Sequence, residues 1–176
     1  MGITLLFTEL IYTCIWIVIR AVIRIRTRKI DFRREIMLLL MYVNLAVLIS
    51  IVYFPMKKGI DAVFLLKLSD VNHLRVNLIP FVNLLDYDNR TDIYLNVIGN
   101  ITMFIPTGVI LPILYKKIDS FGKTVITGFL MSLVIELSQL PFAARATDID
   151  DLILNTMGTA IGAMIIFFIR NKTVHK

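Results

Sequence analysis

The stretch SLVIELSQLPFAARATDIDDLILNTMGTAIG, residues 132–162, decides how the chain is read. On either side of a short turn it belongs to apolar runs of membrane-spanning length, about 20 residues each. Yet within it stand Glu136, Gln139, Arg145, Asp148, Asp150, Asp151 and Asn155. Ionisable and amide groups are expensive in hydrocarbon, so each needs a partner, a cavity or a role.

The rest of the chain has the same character. Its 176 residues are 57% hydrophobic and only 18% charged, with a mean hydropathy of +0.79. A soluble chain of this length needs more polar surface to cover its core. Five spans are read, at roughly 3–24, 36–55, 93–115, 124–143 and 149–169. The fold class is therefore an all-α integral membrane protein, a bundle of five transmembrane helices. Two helices occupy 1–55, an external segment with room for a short interfacial helix occupies 56–92, a three-helix core occupies 93–170, and a tail follows at 171–176. The first run is read as a retained helix, because its basic residues follow the apolar run and no A-x-A-like cleavage site is visible. Cys14 stands alone, which excludes an intrachain disulfide and a cysteine-built zinc site.

Charge orients the bundle. Arg20, Arg24, Arg26, Arg28, Lys29, Arg33 and Arg34 cluster between spans one and two. Lys116, Lys117 and Lys123 follow span three, and Arg170, Lys172 and Lys176 follow span five. The 56–92 connection is balanced and the 144–151 turn is net acidic. Basic residues in every second connection place the N-terminus outside and the C-terminus in the cytoplasm of a multi-pass membrane protein. The net charge of +6 then calls for no nucleic-acid partner, although the 20–34 cluster suits anionic lipid.

In that orientation the polar residues gather at one depth. Asn96 and Asn100 fall in the outer half of span three, Glu136 and Gln139 in the last turns of span four, and Asp148, Asp151 and Asn155 in the first turns of span five. Asn100 and Glu136 lie on the order of 10 Å below the outer ends of their helices. Glu9 of span one is a possible fourth contributor. Spacing supports a shared pocket: Asn96, Asn100, Phe104 and Gly108 form one stripe, Gly128, Ser132, Glu136 and Gln139 a second, and Asp148, Asp151, Asn155, Gly158 and Gly162 a third. Small residues at such spacing let helix backbones approach, so the stripes of spans four and five are expected to face each other. Pro106 and Pro112 each remove a backbone N–H from span three. They read as kinks or, alternatively, as a discontinuous helix framing the pocket.

The blocks NLIPF (77–81), NVIGNITMFIPTG (96–108), IELSQ (135–139) and RATDIDDLILNTMGTAIG (145–162) resemble, in order and spacing, the VanZ-like family. That resemblance covers about half of the chain. It implies a bacterial integral membrane protein of the kind whose founding member lowers susceptibility to teicoplanin, a lipoglycopeptide, without remodelling the cell-wall precursor terminus. Carried onto this sequence by motif, the family positions are Asn96, Asn100, Phe104, Pro106, Gly108, Glu136, Gln139, Arg145, Asp148, Asp151, Asn155 and Gly158, with Asn77, Pro80 and Phe81 a weaker match.

The cluster admits several chemistries. As a binding site it suits an amphiphile with a polar head, a lipoglycopeptide or a lipid-linked wall precursor, with Arg75 and Arg145 as anion partners and the 72–81 stretch as a lid. As a catalytic site, Glu136, Asp148 and Asp151 are the candidate carboxylates, acting as general acid or base or holding a divalent cation. No other cofactor is implied. No serine–histidine pair or H-E-x-x-H is present, and His73 and His175 are the only histidines. As structural glue, the same amides would bond across helices. Transport is disfavoured, because the polar groups stay on one side and no internal repeat is visible.

Overall fold

A computed structural model describes residues 3–27, 31–54, 62–63, 76–81, 89–140 and 147–174. Five helices dominate it: α1 (Leu5–Thr27), α2 (Phe32–Tyr53), α3 (Arg90–Leu114), α4 (Phe121–Gln139) and α5 (Ile149–Val174). All five are long and apolar enough to cross a membrane, and the protein is an all-α, multi-pass membrane bundle. At 1.5 Å per residue the helices are roughly 30–40 Å long, against a hydrocarbon core of about 30 Å. The side chains that would be wrong in water are where lipid would lie: Leu10, Val18, Leu39, Val134 and Ile165 are all exposed.

Local chemistry sets the helix starts. Asp31 caps α2, its carboxylate accepting from the backbone N–H groups of Arg33 and Arg34 at 3.1 and 3.3 Å. Asn89 caps α3 through Thr91 N, and Ser120 caps α4 through Lys123 N. Each side-chain oxygen satisfies a donor that the first helical turn leaves unbonded. Between α3 and α4 lies one 3₁₀ turn, Lys116–Ile118. The fourth helix ends at Gln139, short of the expected 143.

Two short strand pairs dress the ends of the helices. β1 (Ile3–Thr4) pairs antiparallel with β2 (Ala62–Val63), and β3 (Val76–Asn77) pairs parallel with β4 (Thr147–Asp148). Among the described residues of 56–92 there is no interfacial helix before α3 begins.

The core of the bundle is α3 against α5, with α4 on one side and α2 on the other. Phe104 is fully buried. Backbone proximity explains the glycines: a Cβ on Gly108 would overlap the Thr159 carbonyl and stand 2.8 Å from Ala163 N. One on Gly158 would overlap the Ile101 carbonyl, and one on Gly162 the Ile105 carbonyl. The G-x-x-x-G of α5 therefore meets α3, not α4 as its sequence stripe suggests. Gly128 and Ser132 of α4 instead meet Thr159 and Asn155. Positions 155/159 and 158/162 lie about 60° apart on one helix, and α5 presents them to different neighbours.

α3 runs unbroken through Pro106 and Pro112, so the discontinuous-helix expectation is corrected. The carbonyl of Pro112 accepts from Arg170 Nη2 at 2.7 Å, and the same guanidinium reaches Asp119 at 2.7 Å. Midway along, Asn44 ties α2 to α3: its Nδ2 donates to Met103 O at 3.1 Å and its Oδ1 accepts from Thr107 at 2.8 Å. α1 is peripheral and touches chiefly α2. It is held there by the stacked rings of Tyr12 and Tyr42, by Trp16, and by the Arg20–Glu35 ion pair. Cys14 is exposed on α1.

Candidate functional site

The site is built where α3 begins, α4 ends and α5 begins. On α3, two i, i+4 amides stand one above the other, and Asn100 Nδ2 donates to Asn96 Oδ1 at 3.4 Å. The same Nδ2 donates to Asp151 Oδ1 at 2.5 Å, joining α3 to α5. On α4, Glu136 is 2% exposed and Gln139 is 5% exposed. The entry to α5 wraps around Glu136: Thr147 Oγ1 donates to its carbonyl at 2.8 Å, and Asp148 N donates to its Oε2 at 3.1 Å. Deeper, Asn155 Nδ2 donates to Ser132 Oγ at 2.9 Å.

These groups enclose a cavity of about 280 Å³. Asn96, Asn100, Glu136, Gln139, Asp151 and Asn155 supply its polar lining. Ile51, Val52, Leu95 and Met103 supply an apolar side between α2 and α3. Ile51 and Leu95 are also exposed on the bundle surface, so that side leads toward lipid. One atom in the lining is unusual: Asn155 Oδ1 is buried and has no hydrogen-bond partner among the described residues. A buried carbonyl oxygen left unbonded is costly, roughly 1–3 kcal/mol, and rare in stable structures.

Six of the sequence-read site residues therefore converge. Asp148 does not join them in the lining. Its Oδ1 instead caps α5 by accepting from Asp150 N at 3.0 Å, and accepts from Asn77 Nδ2 at 3.2 Å. The three candidate carboxylates thus divide, with Glu136 and Asp151 on the cavity and Asp148 at the helix cap. Among the described residues no three His, Cys, Asp or Glu side chains are grouped to hold a metal ion. Glu9 accepts from Ser50 Oγ at 3.2 Å on the α1–α2 seam and is not in the lining. Phe104, Gly108, Gly158 and Gly162 are the packing residues beneath the cavity, and Pro106 lies on α3 between them. Arg75 and Arg145, together with His73, lie outside the described residues.

One residue was passed over when the site was read from sequence. Asp150 is 2% exposed, and its Oδ1 accepts from Phe81 N at 2.7 Å. Phe81 has φ of 68°, a left-handed conformation that costs a non-glycine residue about 1 kcal/mol or more. With the β3–β4 pair and the Asn77–Asp148 bond, this contact clamps 76–81 onto the start of α5. The TDIDD run (147–151) carried the signal. Asp150 falls two residues after a cap, where an acidic residue ordinarily needs no further explanation than the helix dipole.

The sequence matches the VanZ/LLP1 family over residues 39–170. It is also 32% identical over 137 residues to Protein VanZ of Enterococcus faecium, covering 78% of this chain and 76% of that protein. The chain belongs to the VanZ family. No solved structure matches it. The VanZ match begins within α2 and ends in α5, so it includes Asn44, both halves of the 76–81 clamp and every residue lining the cavity. All of α1 lies outside it.

Proposed function

We propose that this VanZ-family protein lowers susceptibility to glycopeptide antibiotics, chiefly teicoplanin, from a bacterial cell membrane. In this reading the cavity opens toward the outer face and engages either the lipid-bearing antibiotic or its lipid-linked cell-wall target. The basic residues in alternate connections support an outside N-terminus and a cytoplasmic C-terminus.

The observation that carries the reading is the cavity's size together with the unpartnered acceptor in its lining. At about 280 Å³ it lies just below the range for drug-sized ligands. It therefore holds a fragment of an amphiphile, one sugar or one short polar group, while the tail follows the apolar side past Ile51 and Leu95. Its vacant acceptor, Asn155 Oδ1, together with the carboxylates of Glu136 and Asp151, selects a group rich in hydrogen-bond donors. Hydroxyls and amines qualify; a bare phosphate does not.

One observation favours a second reading, chemistry on a lipid-linked substrate. Glu136 and Asp151 share one small cavity, and a buried carboxyl there could serve as general acid or base. Growth inhibition of a Gram-positive host expressing the chain, with teicoplanin and vancomycin side by side, separates the possibilities. Protection against teicoplanin alone ties recognition to the lipid tail. Equal protection points to the shared wall precursor. No protection against either overturns the proposal, and a changed membrane-lipid profile in those cells would then establish the enzyme reading.

A further inference from the structure

At the opposite end of the bundle, a second and larger cavity of about 930 Å³ separates the start of α2 from the end of α3. Its walls are apolar, with Ile36 and Met37 of α2 across from Ile113 and Leu114 of α3. Its rim is basic: Arg33, Arg34, Lys116 and Lys117 stand against one carboxylate, Asp31, leaving a net three positive charges. The Asp31 carboxylate is already committed to capping α2.

The nearby acids are also spoken for. Glu35 is held by Arg20, and Asp119 by Arg170. Among the described residues, none of the four rim cations has an ion-pair partner. Four like charges line an apolar groove, and the groove's own side chains do not neutralise them. Their mutual repulsion is relieved by an anion that also carries hydrocarbon.

We propose that this groove is a binding site for an anionic diacyl phospholipid, its phosphate between Arg33/Arg34 and Lys116/Lys117 and its acyl chains along Ile36, Met37, Ile113 and Leu114. The lipid bridges the α1–α2 end of the bundle to the α3–α4 connection. α2 and α3 are joined in sequence only through the long 54–89 connection, so a lipid at this end adds a tie on the side away from it. Guanidinium groups suit bidentate phosphate contacts, while the lysines act as point charges.

The test uses the full chain in maltoside micelles with a fluorescent phosphatidylglycerol, competed by unlabelled lipids. Unlabelled phosphatidylglycerol should displace the probe, and phosphatidylcholine and soluble glycerol phosphate should not. R33Q/R34Q and K116Q/K117Q should each weaken binding roughly tenfold or more. R24Q/R26Q removes the same charge from exposed α1 positions outside the groove and should leave binding unchanged. Because the groove variants sit on different elements, either one that elutes as a folded monodisperse peak decides the matter. Equal loss in R24Q/R26Q would overturn the site in favour of diffuse surface charge. Equal competition by phosphatidylcholine would reduce it to an apolar groove, and equal competition by glycerol phosphate to an anion site without lipid.

Discussion

Asn100 and Asp151 stand on different helices, 51 residues apart in sequence, and meet through a 2.5 Å hydrogen bond on the lining of the polar cavity. The amide donates and the carboxylate accepts, so the pair tolerates loss of charge but not loss of the acceptor. That distinction separates the cavity's role in function from its role in folding. Asp151→Asn keeps an acceptor for Asn100 and should fold and express normally while abolishing protection against teicoplanin. Inhibitory concentrations measured alongside membrane expression levels check this; full protection by the variant would remove Asp151 from the binding reading.

Asn155→Leu fills the site of the vacant acceptor with an apolar group of similar volume. It loses the bond to Ser132, and it also removes the penalty of the unpartnered oxygen. The two effects oppose each other, each on the order of 1 kcal/mol. Thermal stability in detergent should therefore change little while protection falls. A large drop in stability would mean that Asn155 is glue and not part of a recognition surface.

The α3–α5 contact is a matter of backbone distance. Gly158→Ala should lower the midpoint of thermal unfolding, because its methyl group must displace the Ile101 carbonyl, at a cost of about 1–3 kcal/mol. Gly99→Ala is the matched control, since nothing lies within 4 Å of its added Cβ. If both variants melt alike, the close approach of α3 and α5 is wrong.

Asn44 carries the polar link between α2 and α3, and Thr107 is fully buried beside it. Asn44→Ala should cost about 0.5–2 kcal/mol, the range of interhelical hydrogen bonds in membranes. Combining it with Thr107→Val should cost less than the sum of the two single changes, because one bond has been counted twice. Strict additivity in a double-mutant cycle would show that the two side chains do not interact.

Asp150 supports Phe81 through its backbone N–H. Asp150→Ala should speed hydrogen exchange at the Phe81 amide and raise proteolytic cleavage near 76–81, whereas Asp150→Asn, which retains an acceptor, should do neither. Unchanged exchange in the alanine variant would rule out the clamp.

Much of the fold was legible in order along the chain. Five apolar runs marked five helices, and their bounds moved by only a few residues, because span length and hydropathy are local properties. The depth of the polar residues could also be read, since counting turns from a helix end needs no knowledge of neighbours. Six amides and carboxylates line one cavity. Asp148 went astray because an acidic residue one position before a helix is equally suited to a pocket and to a cap. Asp150 was missed because its partner is a backbone N–H, which leaves no trace in side-chain patterns.

By itself, then, the sequence determined that this is a five-helix membrane protein of the VanZ family with its polar residues concentrated toward one end. The hydrocarbon requirement acts on each segment separately, so each segment declares itself. Tertiary structure alone decided which neighbour each face meets. Residues 155 and 159 turn to α4, and residues 158 and 162 turn to α3, although Asn155, Gly158 and Gly162 belong to one apparent stripe. A rotation of about 60° on a helix is too fine for periodicity to resolve. Close packing resolves it, because only one rotation brings Gly158 and Gly162 against backbone and leaves Asn155 facing the cavity with an oxygen still to be satisfied.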